Sequence, residues 1–185
     1  MHFKADGIVL KAVDFRDHQK VLTLFTPDRG VISVFAKRLS AKNLQLLTLT
    51  SPLTRATYEL RKGTSELFTL VDGSLQEGHF ELRNSYANLT AGLEMLKVIL
   101  KTQLPGKSAP ILYHLLALYL DRLRSSSAPR SLLASFYLKL LKHEGTFHHQ
   151  MIDERLVPCA DLKSFEGIEA IDISKKELEK IQLLV

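Results

Sequence analysis

Eight cationic side chains in the first 62 residues fall into three groups that could meet phosphates. Lys11, Arg16 and Lys20 flank a first loop, Lys37, Arg38 and Lys42 follow an apolar run, and Arg61 and Lys62 occupy a turn. Lysine and arginine gathered on one surface neutralise a polyanion and release its condensed counterions. The same residues spread over a solvated rim would do neither, and residue type alone leaves both readings open. Further along, Arg122, Arg124 and Arg130 bracket the break Ser125-Ser126-Ser127. They either extend a basic path or, for Arg122 and Arg124, complement the negative end of a helix.

Other chemistry has less to work with. His143, His148, His149, Asp153 and Cys159 lie within 17 residues, and each type can ligate zinc. The spacing is not that of a finger, and adjacent histidines point apart in extended chain, so no metal is expected. Cys159 is the single cysteine, which excludes an intramolecular disulfide and any zinc site built on several thiols. No nucleophile elbow, phosphate loop, paired-histidine metalloprotease motif or dinucleotide fingerprint occurs. Nothing argues for an enzyme, and no cofactor is expected.

The chain has 185 residues, with 25 Lys and Arg against 20 Asp and Glu, a net charge of +5 and a pI near 9.3. Residues 1–80 carry +3, residues 81–150 carry +5 and residues 151–185 carry −3. A basic front and an acidic tail are compatible with a polyanionic partner. With 45% apolar and 24% charged residues, the composition is that of a globular protein and excludes a wholly disordered chain. The opening Met1-His2-Phe3-Lys4-Ala5-Asp6 lacks the basic and apolar regions of a secretory signal. The longest uncharged apolar stretch, Ser108 to Leu120, has 13 residues, too few to span a bilayer. A soluble protein of a reducing, cytosolic compartment is expected.

Two kinds of pattern organise the chain. Short apolar runs around Ile8–Leu10, Val21–Thr26, Val31–Ala36, Leu53–Leu60 and Glu66–Val71 are separated by Pro27-Asp28-Arg29-Gly30 and Arg61-Lys62-Gly63-Thr64. Five strands joined by such turns predict a small antiparallel barrel or sandwich. Near Gly78 the period changes. Leu82, Tyr86, Leu89, Leu93, Leu96 and Leu100 recur every three or four residues, predicting one amphipathic helix with a single stripe. A second helix is expected to start at Ser108 and Pro110, with Leu112, Leu115, Leu116, Tyr119, Leu120 and Leu123 inward. A third, from about Arg130 to Glu144, carries Leu133, Phe136, Tyr137, Leu140 and Leu141, with Gly145 just beyond its end. Residues 146–173 read as irregular, and Ser174 with Glu177 forms a capping box that opens a last helix. The division expected is residues 1–78 and 79–185. The class is α+β, with a β domain in front and a mainly helical domain behind.

Gly7-Ile8-Val9-Leu10-Lys11, Asp14-Phe15-Arg16-Asp17, Leu24-Phe25-Thr26-Pro27-Asp28-Arg29-Gly30 and Val34-Phe35-Ala36-Lys37, in this order and spacing, resemble the opening of the RecO family of bacterial DNA repair and recombination mediators. The helix around Phe136-Tyr137-Leu138-Lys139-Leu140-Leu141, ending at Gly145, fits the same family. The similarity is sharp over about residues 4–40, looser to 145 and poor beyond. The resemblance implies an N-terminal five-stranded OB-fold barrel and a helical C-terminal domain. It implies binding of single- and double-stranded DNA, annealing of complementary strands, and help in loading the recombinase onto DNA covered by single-strand-binding protein. The implied partners are the RecR ring protein and the C-terminal tail of the single-strand-binding protein, and the implied location is the bacterial cytoplasm at the nucleoid. The chain departs from the family in carrying Arg38 where a glycine is frequent. It also lacks the four-cysteine zinc module of many members, with Leu162 where a second thiol would stand.

With an OB-fold in view, the face of strands 2 and 3 and its flanking loops become the expected nucleic-acid groove. Lys11, Arg16, Lys20, Lys37, Arg38, Lys42, Arg61, Lys62 and Arg130 are then expected to contact phosphate. Phe15 lies in the first loop. Phe35 alternates in phase with Lys37, so a stacking role is open to it, but it is read as barrel core. The competing function is a protein–protein adaptor whose barrel binds no nucleic acid.

Overall fold

The computed structural model describes residues 2–37, 44–63, 66–148, 150 and 152–185. Five strands, β1 (His2–Arg16), β2 (Gln19–Thr26), β3 (Gly30–Ala36), β4 (Arg55–Lys62) and β5 (Phe68–Glu77), close a barrel in the order β1-β2-β3-β5-β4. All neighbours are antiparallel except β3 and β5, which pair in parallel at Val34–Phe68 and Phe35–Thr69. This is the expected five-stranded OB-fold barrel, followed by helices.

The long β1 serves two neighbours. Its first half pairs with β4 and its second with β2, and a bulge between Val9 and Lys11 turns the strand from one to the other. Gly7 stands at this bend. A Cβ there would lie 3.3 Å from the ring of Tyr58, which fills the barrel centre. The inward residues Val9, Leu22, Leu24, Ile32, Val34, Ala56, Tyr58, Leu60, Phe68 and Leu70 form one apolar core.

Between β3 and β4 lies a six-residue helix, α1 (Leu44–Leu49), too short to show a period in sequence. Leu49 is buried in the barrel core, with Leu46 and Leu47 packed against it. The Leu49 carbonyl accepts a hydrogen bond from the Tyr58 hydroxyl at 3.0 Å. That bond satisfies a phenol that burial would otherwise penalise.

Two strand boundaries differ from expectation for backbone reasons. Leu53 has φ of 74°, a left-handed conformation no strand tolerates, so β4 starts at Arg55. The fifth strand does not end at Val71, since β5 continues through Asp72-Gly73-Ser74 to Glu77. Gly73 is there for closeness, since a Cβ would stand 3.1 Å from both Leu49 Cδ1 and the Thr57 carbonyl oxygen. Gly30, at φ of 58°, does end its turn as expected. Its missing side chain also lets the loop at 105–109 dock, with Ala109 N–H donating to the Pro27 carbonyl at 3.0 Å and Gly106 N–H to that of Val31 at 3.2 Å.

The chain forms two compact units, residues 1–79 with 99–117 and residues 80–98 with 118–185. Residues 99–117 thus group with the barrel, whereas the sequence places them in the helical part. The remaining elements are a short 3-10 turn (Phe80–Asn84), α2 (Tyr86–Thr102), α3 (Pro110–Leu123), α4 (Pro129–His143), a 3-10 segment (Glu154–Ala160), α5 (Phe165–Glu169) and α6 (Lys175–Gln182).

In the second unit α4 is the spine, buried on almost every side from Ser131 to Leu141. It ends in a Schellman motif: Gly145, at φ of 74°, donates to the Lys142 carbonyl and Thr146 to that of Leu141. The segment expected to be irregular is tied to this spine. Ser135 Oγ donates to the Cys159 carbonyl at 2.6 Å, and Tyr119 Oη lies 2.8 Å from Ser135 Oγ. Because Ser135 has spent its only hydrogen, Tyr119 is the donor in that second contact. Lys139 Nζ donates to the Leu162 carbonyl at 2.7 Å.

The expected leucine stripe of the first helix holds only in part, with Leu82 and Leu96 buried. Tyr86 is 86% exposed and Leu93 43%, while Asn88, Ala91, Met95, Leu96 and Ile99 turn inward. Leu82 lies on the 3-10 turn and the rest of the stripe on α2, whose inward face is rotated away from Tyr86 and Leu93. Buried Asn88 sets the rotation of α2 by donating from Nδ2 to the carbonyls of Leu123 at 2.7 Å and Ser126 at 3.0 Å. The capping box of α6 forms as expected. Hydrogen bonds from the Ser174 hydroxyl, then the Ser174 N–H and Arg155, hold the Glu177 carboxyl down at about 2.

Two outcomes follow. Gly30→Ala places a Cβ 2.1 Å from the Lys107 carbonyl oxygen at positive φ. It should lower unfolding stability by at least ~1–3 kcal/mol, the strain of a left-handed residue alone, as read by denaturant titration. Glu177 titrates below its unfolded value of 4.5, so its charge stabilises the fold above that pH and ceases to as pH falls toward about 2. The midpoint difference between the natural chain and Glu177→Gln should therefore be steady at neutral pH and close across that acidic window in thermal melts.

Candidate nucleic-acid interface

Strand register decides which cations share a surface. With Leu22, Leu24, Ile32 and Val34 in the core, their neighbours on β2 and β3 face outward. Two outward rows cross β1, β2 and β3: Lys11–Thr23–Ser33 and Val13–Val21–Phe35. The second row continues across the barrel closure as Phe35–Thr69–Arg61–His2.

The reading of Phe35 as barrel core is overturned. Its ring is half-buried on the outer face and lies edge to face with Phe15, at 5.9 Å between centroids and 89° between planes. Phe15 is 57% exposed. Each ring has a cation beside it, Arg16 Cζ 5.3 Å from the centre of Phe15 and Lys37 Nζ 5.6 Å from that of Phe35. Lys37 and Arg61, 24 residues apart in sequence, line one depression with His2, Thr69 and Val71. The result is a continuous strip: Arg16, Phe15, Phe35, Lys37, Arg61.

The other expected residues sort by place. Lys11 lies on the same outer face, one row away. Lys62 follows Arg61 and is exposed beside Phe68. Lys20 is half-buried, 3.8 Å from Asp14, so part of its charge is already answered. Arg38 and Lys42 lie outside the described residues. Arg130 belongs to the second unit, exposed at the start of α4. Arg122 and Arg124 are not held out for a polyanion, because Arg122 grips Glu169 through two nitrogens and Arg124 meets Glu81 at 3.0 Å.

Charge is segregated around the barrel. The face made by the first half of β1 with β4 and β5 carries the rows Lys4–Glu59–Asp72 and Asp6–Thr57–Ser74. Lys4 is bonded to Glu59 at 2.8 Å, and Asp6 accepts from Thr57 and Gln76 at 2.6 and 2.9 Å. That face is balanced to acidic and internally satisfied, whereas Lys11, Arg16, Lys37 and Arg61 form no ion pair with a described carboxylate.

His2, Thr69 and Val71 enter the site without any sequence signal, since the closure that brings them there is a long-range pairing. Phe35 did carry one. In Ser33-Val34-Phe35-Ala36-Lys37 the partners of Phe35 at period two are a serine and a lysine, which marks an outward parity.

No three His, Cys, Asp or Glu side chains among the described residues converge as metal ligands, and His149 lies outside them. Cys159 is buried and desolvation raises its thiol pKa, the opposite of what a nucleophile needs. No helix among the described residues is long and apolar enough to cross a membrane.

Comparison with known proteins gives a consistent picture. Residues 1–79 match the family model described as Recombination protein O N terminal. The chain is 27% identical over 146 residues to the DNA repair protein RecO of Chlamydia trachomatis serovar L2, covering 79% of this chain and 60% of that one. It is 30% identical over 203 aligned residues to that of Chlamydia pneumoniae, covering 100% and 77%, and 29% identical over 146 to that of Anaeromyxobacter sp. (strain K), covering 77% and 56%. The chain thus spans under two thirds of the first and third of these relatives. On the barrel match and on the similarity that runs through all of its own length, the chain belongs to the RecO family.

Proposed function

We propose that this chain is a non-enzymatic DNA-binding protein of recombination and repair, and that it grips sugar-phosphate strands on the outer face of its barrel that runs from β1, β2 and β3 to the end of β4. The observation that carries this reading is the strip in which Arg16, Lys37 and Arg61 come together without an ion pair to a described carboxylate. Such a surface releases counterions from whichever strand it covers, so binding is mainly electrostatic and largely independent of sequence. Two strands held against one cationic surface repel each other less, which favours annealing of complementary single strands. In the same reading the protein helps load the recombinase onto DNA covered by single-strand-binding protein, at the nucleoid, with the RecR ring protein as a partner.

A second surface suits the remaining partner. In the helical unit a depression lined by Tyr86, Ala91, Leu133 and Leu178 also carries two cations, Arg130 and Lys175, and two carboxylates, Glu169 and Asp172. Its apolar floor is where, in this reading, the apolar residues of the single-strand-binding protein's C-terminal tail would dock.

Fluorescence anisotropy with a labelled, unstructured oligonucleotide tests the barrel surface. The logarithm of affinity should fall linearly with that of salt concentration. Reversing Arg16, Lys37 and Arg61 to Glu should abolish most binding and flatten the slope by about 2, near 0.7 for each single-strand phosphate lost. Cys159→Ala should change nothing. Absence of binding at low salt would instead establish the adaptor reading.

A further inference from the structure

We propose that Phe15 and Phe35 form a seat on which an unpaired base stacks, so that the strip prefers single strands to duplex. This rests on the nucleic-acid reading above and adds to it the state of the strand that is recognised.

The first observation is that the barrel does not need these rings. Its core is complete without either of them. Phe15 leaves more than half of its surface in water, and Val13, in the same outward row as Phe35, is 48% exposed. With Val21 between them in that row, four neighbouring apolar side chains make a patch rather than a stray exposed ring. The second observation is order. The apolar patch lies in the middle, with Arg16 against one ring and Lys37 against the other, and Arg61 beyond. A nucleotide has the same order of chemistry, a flat apolar base between charged phosphates. The perpendicular packing of the two rings fixes their planes, so little side-chain freedom remains to be lost when a base arrives.

Duplex cannot use this seat. Its bases are covered above and below by their neighbours and show only their edges in the grooves, whereas an unpaired base offers its whole face. The cations serve both forms, because both have phosphates. The aromatic contribution therefore appears in the ratio of single-strand to duplex affinity and not in the salt dependence.

The test measures a labelled oligothymidine and a duplex of equal length by anisotropy across a salt series, for the natural chain, Phe15→Ala, Phe15→Leu, Phe15→Trp and Phe35→Leu. Thermal melts confirm folding, and the exposure of Phe15 keeps its variants informative if Phe35→Leu unfolds. Phe15→Ala should cost roughly five- to a hundredfold in single-strand affinity, leave duplex affinity within about twofold, and keep the salt slope. Phe15→Leu should behave like Phe15→Ala, and Phe15→Trp should bind at least as well as the natural chain. Equal loss on both substrates, no loss at all, or full affinity in Phe15→Leu overturns the stacking seat while leaving the electrostatic grip in place. Failure of the natural chain to bind either substrate overturns the grip itself, and the seat with it.

Discussion

The barrel closes through a very short contact. β3 and β5 meet in parallel at two residue pairs, Val34 with Phe68 and Phe35 with Thr69. Everything proposed for the outer face depends on this junction, since it carries the outward row from β3 onto β5 and β4 and so sets Lys37 beside Arg61. Two local pairs cannot hold such a closure alone. The interior does so: Tyr58 spans the centre, its hydroxyl is satisfied by Leu49, and the small residues Gly7 and Gly73 let ring and helix approach. Burial of these side chains stabilises the closed form, and the cationic strip is a by-product of that packing.

Polarity around the barrel separates binding from structure. Along the rows of Lys4 and Asp6, Lys4 meets Glu59 and Asp6 accepts from Thr57 and Gln76, contacts of the kind that add a few tenths of a kcal/mol and leave little net field. On the β1–β2–β3 side the cations lie against aromatic rings and keep their charge available. A ring positions a cation without neutralising it, which is what a surface meant for phosphate requires. The helical unit follows the opposite rule. There Arg122 and Arg124 are consumed by Glu169 and Glu81, and Lys139 by backbone carbonyls, so its positive charges mostly serve the fold.

Much of this was legible in the residues. The five runs with their turns predicted the barrel, Gly145 and Ser174 marked helix ends, and the order of short motifs pointed to the family. The misjudged positions share a cause. The fifth strand looks finished at Val71 because the apolar run stops there, yet β5 goes on through Gly73, where the closeness of Leu49 leaves little room for a side chain. The stripe from Leu82 to Leu100 looks like one helix face because leucine spacing does not show how a helix is rotated, and the two carbonyls that anchor Asn88 and set that rotation come from residues 123 and 126. Phe35 looks like core because phenylalanine usually is, although its period-two neighbours are polar.

By itself the sequence determined what depends on neighbours along the chain: alternation within strands, the change of period near residue 78, helix ends at Gly145 and Ser174, and the supply of cations. Only the tertiary structure decided which of those cations stand together. Arg16, Lys37 and Arg61 come from three strands, and their meeting depends on register and on where the barrel shuts. Register is a relation between distant segments, set by which apolar faces can be buried at once, and no local pattern encodes it.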